Sequence, residues 1–138
     1  MVVYAVAARA AFTAARAVLE KMVREQPNYA QALGVLGMID AGVGRKEEAI
    51  SEGRRAVELL PLAKDAFAGV HMLRYLAIIY TWTGENNLAI EQLAAVIRQP
   101  GYLSYGRLKL HPEWDPLRGD PRFEQIVASL APDNRSDQ

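Results

Sequence analysis

Cysteine is absent from all 138 residues, which removes disulfides, thiolate metal sites and cysteine nucleophiles from consideration. Histidine is scarce, with two copies, so a multi-histidine metal centre has little to draw on. Net charge is missing too, since 16 basic and 16 acidic residues cancel. A balanced chain lacks the electrostatic footprint of a nucleic-acid binder or of a protein held on an anionic membrane, and neither partner is expected. No run approaches the roughly 20 apolar residues of a membrane span. Residues 1–12 (MVVYAVAARAAF) are apolar, but they carry no basic start and Arg9 interrupts them, so they read as helix rather than leader. A cysteine-free chain suits a reducing compartment, and a cytoplasmic location is expected. There is no glycine-rich phosphate loop and no nucleophile–base pair. Neither catalytic residues nor a cofactor are therefore expected.

The chain does contain a repeat. Hydrophobic residues make up 51% and charged residues 23%, a mixture that supports one domain with a real core over residues 1–138. Pro27 and Pro61 stand 34 residues apart, as do Ala15 and Ala49, and Leu19 and Gly53. Leu33, Leu36 and Gly37 lie on the first helix of a hairpin, with Ala49 and Ala56 on its second. Leu73, Leu76, Ala77 and Tyr80 take the corresponding places in the next hairpin, followed by Ala89, Leu93 and Val96. Gly37 with Ala49, and Ala77 with Ala89, are small where paired helices must cross closely. Gly44 and Gly84 fall at the turns between them, where positive φ ends a helix.

This order of large, small, aromatic and proline positions at a 34-residue period resembles the tetratricopeptide repeat over residues 12–101. The resemblance implies an all-α superhelix of about two and a half helical hairpins closed by a C-terminal capping helix. Its divisions are an incomplete first repeat at 1–27, repeats at 28–61 and 62–101, a cap at 102–132 and a disordered tail at 133–138. Residues 12–26 read as a second helix, with Ala15, Leu19 and Met22 on one face. The open N-terminal edge implies a fragment of a longer repeat protein, or a first helix that swaps into a partner chain.

Three positions depart from the pattern. Asp40 stands where an aromatic residue is usual and Gly53 where a large one is usual. Six extra residues fall at Lys64–Gly69, where Asp65 is placed to cap a lengthened helix. In the cap, Ser104 is expected to start a short helix, and Asp115-Pro116 and Asp120-Pro121 read as two helix starts. Phe123, Ile126, Val127 and Leu130 share one apolar face. Trp114 is expected to pin the cap to the last hairpin. His111, Glu113 and Asp115 alternate in a row, but the prolines nearby, the capping demand on Asp115 and the lack of a second histidine close by argue against a metal site, and none is expected.

The segment HPEWDPLRGDPRF is similar to the closing motif of tetratricopeptide regions in multidomain bacterial kinases, adenylate cyclases and winged-helix regulators. The resemblance implies a sensor or scaffold part of a larger bacterial regulatory protein, with no catalysis of its own. Stacked repeats bind along their concave face. Counting around the helices turns Gln31, Val35, Met38 and Ala41 inward from one hairpin, and His71, Arg74, Tyr75, Ile78 and Trp82 from the next. Such a groove suits a protein partner that lays down an apolar peptide or helix. The lysine, asparagine and arginine clamp of chaperone-tail-binding relatives is missing, apart from Arg74. Homodimerisation through the N-terminal helix is the alternative, and a small metal-binding protein or enzyme is the third reading.

Overall fold

The computed structural model describes residues 2–99 and 102–132. Those residues form seven α-helices and one 3-10 helix, with no strand among them. In chain order they are α1 (Val2–Glu25), α2 (Ala30–Gly42), α3 (Lys46–Leu59), α4 (Ala66–Trp82), α5 (Asn86–Ile97), α6 (Tyr105–Leu110), the 3-10 helix (Pro112–Leu117) and α7 (Pro121–Ser129). The protein is all-α, and no described helix is long and apolar enough to cross a membrane. The tail expected at residues 133–138 lies outside the described residues.

Helices α2 and α3 pair, α4 and α5 pair, and α2 and α3 both pack on α4. The two pairs close with the same turn. Gly44 and Gly84 adopt φ of 88° and 81°. The next amide bonds back five residues, from Arg45 to the Asp40 carbonyl at 2.8 Å and from Glu85 to the Tyr80 carbonyl at 2.9 Å. That bond satisfies a carbonyl the helix end would otherwise leave unpaired.

Close approach of α2 and α3 centres on Gly37, where a β-carbon would lie 3.0 Å from the Ala49 carbonyl oxygen and 2.7 Å from Ile79 Cδ1. Ala49, Ala77 and Ala89 are fully buried. The space left by Gly53 is filled from the next hairpin, because Ile79 and Leu76 reach to 2.7 and 3.0 Å of where its β-carbon would sit. Helix α4 is longer than α2, 17 residues against 13. Asp65 caps it, accepting from the Ala68 amide at 2.9 Å.

Helix α1 runs as one helix and packs on α2, and its inner stripe matches the expected one at Leu19 and Met22 but not at Ala15. Among residues 7–25, Phe12, Arg16, Leu19, Glu20, Met22 and Val23 are the half-buried positions, while Ala15 is exposed. The reason is Asp40, which is fully buried and bonds Arg16 Nε at 2.5 Å. Turning Arg16 inward moves Ala15 out, since neighbours on a helix lie about 100° apart.

The cap also departs from its sequence reading at one point. Ser104 caps α6 and Asp120 caps α7, accepting from the Arg107 and Arg122 amides at 3.1 and 2.9 Å. Asp115-Pro116 starts nothing, because it lies inside the 3-10 helix that opens at Pro112. His111 caps that helix, its Nδ1 accepting from the Glu113 amide at 3.3 Å. Asp115 instead bonds Arg118 at 2.8 Å. Trp114, Leu117 and Phe123 are fully buried against α4 and α5 residues, so Trp114 is core and not an exposed peptide contact.

Candidate functional site

The expected groove residues separate into two kinds. Ile78 is fully buried in the main core with Trp114 and Phe123, so its assignment to partner binding is corrected: the cap covers it. Ala41 is likewise buried, beside Ala49 and Ile79. Met38 and Trp82 are half-buried and pack against the core from both hairpins. Trp82 Nε1 donates to the Glu113 carbonyl at 3.1 Å. Pro116, three residues on, has no N–H to make an i→i+3 claim on that carbonyl. The indole therefore ties α4 to the cap, and only its edge remains for a partner.

The remaining positions keep accessible surface. Gln31 is exposed, and Val35, His71, Arg74 and Tyr75 are half-buried. Tyr75 leans into the seam between α2 and α4, where its Cδ2 lies 2.6 Å from the place a Gly34 β-carbon would take. Arg74 lies over the Tyr75 ring at 5.4 Å, a cation–π contact that orders both side chains.

His71 and Arg74, one turn apart on α4, meet three residues of the cap that the sequence does not single out. A cavity of about 240 Å³ is lined by His71, Arg74, Tyr102, Leu103 and Arg107. His71 Nδ1 and Tyr102 Oη lie 2.6 Å apart. Phe67, 78% exposed, sets its ring edge-on to His71 at 5.2 Å, and Tyr102 does the same from the other side at 5.1 Å. Burial, helped by the Arg74 charge, holds the His71 imidazole below its ordinary pKa, so it is neutral near pH 7. Burial raises the Tyr102 hydroxyl against the opposing pull of Arg74. Gln31 and Val35 do not line this cavity. Tyr102 and Arg107 escape the sequence reading because they follow α5 and belong to the cap, whose periodicity signals closure rather than a site.

A second depression of about 480 Å³ lies on the outer surface of α3 between Glu47, Ile50, Ser51, Arg54, Arg55 and Glu58. Its two carboxylates and two guanidinium groups balance in charge. The row His111, Glu113 and Asp115 is engaged locally, Glu113 lying 3.6 Å from both Arg107 and His111. Among the described residues no group of three or more potential metal ligands comes together.

No protein-family model matches the chain, and no curated protein or solved structure matches it.

Proposed function

We propose that the chain is a tetratricopeptide-type interaction module that holds a peptide or helix of a partner protein along the faces of α2 and α4. The 34-residue period, the identical turns at Gly44 and Gly84 and the small residues at the helix crossings support the repeat reading. The observation that carries the binding reading is the accessible row of Val35, His71, Arg74 and Tyr75. Apolar, aromatic and arginine side chains keep surface there, and aromatic and arginine residues dominate protein interfaces. A sensor or scaffold role within a larger bacterial regulatory protein is consistent with this reading and follows from the closing motif.

Panning a random peptide library on the immobilised protein tests the proposal. Selected peptides are expected to lose binding at least tenfold to the double variant Val35→Glu, Tyr75→Ala, with the melting temperature of a Val35→Glu control unchanged. Peptides that bind wild type and variant equally would exclude this face.

Self-association is favoured by a separate observation on α1. Val18 is 62% exposed, and Ala10, Ala11, Ala14, Ala15 and Ala17 around it are exposed too. Light scattering distinguishes the readings: a concentration-independent dimer, dissociated by Val18→Glu, assigns α1 to a second copy.

A further inference from the structure

The cavity between α4 and the cap has two arginines and no carboxylate among its lining residues. Two guanidinium groups, Arg74 and Arg107, line it together with the His71–Tyr102 pair, and guanidinium keeps its charge at any relevant pH. Arg107 is partly offset by Glu113 at 3.6 Å. Arg74 has no carboxylate within ion-pair distance among the described residues, and its Nε is buried without a hydrogen-bond partner. A buried donor left unpaired costs about 1–3 kcal/mol, so an acceptor that lets the Arg74 side chain re-seat its Nε–H gains from the pairing.

The His71–Tyr102 hydrogen bond adds a donor whichever way it runs. If the Tyr102 hydroxyl donates to Nδ1, the imidazole keeps its proton on Nε2. If Nδ1–H donates, the hydroxyl proton is left over. The cavity is thus rich in donors and has one uncompensated positive charge. One positive charge matches a singly charged carboxylate better than a phosphate dianion. Leu103 on the wall and the exposed Phe67 ring beside His71 suit an apolar group next to that carboxylate.

We propose that this cavity binds a carboxylate flanked by an apolar or aromatic side chain, supplied by the partner peptide. The proposal rests on the interaction reading above and gives it its charged anchor. An acidic side chain and a free C-terminus offer the same chemistry. Arg74 and Arg107 hold the oxygens, the His71–Tyr102 pair contributes one further donor, and Phe67 covers the apolar neighbour.

With two histidines in the chain, the His71 ring protons are a clean NMR probe and His111 an internal control. Benzoate is the first ligand, and benzamide and inorganic phosphate are its comparators. Saturable His71 shifts with benzoate, at least tenfold weaker for benzamide, are expected, with His111 shifting less. Arg74→Gln is expected to weaken benzoate about tenfold, as loss of a charge-assisted contact does. Arg107→Gln, at an exposed cap position, serves if Arg74→Gln fails to fold, and a weakening of at least threefold is expected from it. Equal binding of benzamide, tighter binding of phosphate, or unchanged benzoate affinity in Arg107→Gln overturns the assignment. Two peptides then distinguish the sources, one amidated with a Phe-Glu pair and one ending in a free Phe carboxylate; either one competing with benzoate supports the proposal, and neither competing overturns it for peptides. Because benzoate reads the cavity alone, the interaction reading stands or falls separately on the Val35→Glu, Tyr75→Ala variant.

Discussion

Asp40 is the one charged residue buried in the core among the described residues. Its carboxylate is fully buried, held by Arg16 from α1 and placed beside Glu52 of α3. Asp40 Oδ2 and Glu52 Oε2 are both buried without another partner, and one proton shared between them satisfies both. Burial, then the adjacent Asp40, pushes the Glu52 carboxyl from 4.5 up to about 8. The folded protein therefore holds that proton where the unfolded chain has released it, so stability falls as pH rises from about 4.5 through about 8. Glu52→Gln is expected to flatten this slope, measured as urea midpoints at pH 5 and pH 8.5; a wild-type midpoint that rises across the same interval would contradict it. Arg16→Ala strands Asp40 in the core, and a loss of about 3 kcal/mol is expected from equilibrium unfolding. The anomaly of Asp40 was legible in the sequence, but its partner was not, because the apolar pattern of α1 pointed to Ala15 and gave no reason to turn an arginine inward.

At the scale of elements, capping chemistry carried across well. Ser104, Asp65 and Asp120 each accept the amide that a helix start leaves unpaired, a short-range event that local sequence encodes. Asp115-Pro116 carries the same local signal and fails, because His111-Pro112 starts a helix first and includes it. The resulting bond from Trp82 to the Glu113 carbonyl spans 31 residues, and no spacing rule reveals it. Trp82→Phe removes that bond and leaves Trp114 as the one indole in the chain. The variant is expected to lose about 1–2 kcal/mol, read from Trp114 fluorescence in urea. An unchanged fluorescence midpoint would mean that the indole does not fasten the cap.

For the whole molecule, the inner face is narrower than the sequence implied. Ile78 is lost to the core, and Met38 and Trp82 largely to the seam between hairpins and cap. The cap compensates by bringing Tyr102 and Arg107 to His71 and Arg74, so what remains open is an aromatic and arginine surface rather than an apolar trough. Repeat periodicity identifies which residues face inward but not which of them a neighbouring element covers. Coverage depends on the cap, whose path across α4 is a long-range result of burying Trp114, Leu117 and Phe123 together. Partner binding on this face is tested most directly by mapping the NMR resonances that move when a library-selected peptide is added to the folded protein. Shifts concentrated at Val35, His71, Tyr75 and Tyr102 are predicted. Shifts confined to Val18 and the alanine face of α1, with those four unmoved, would contradict it.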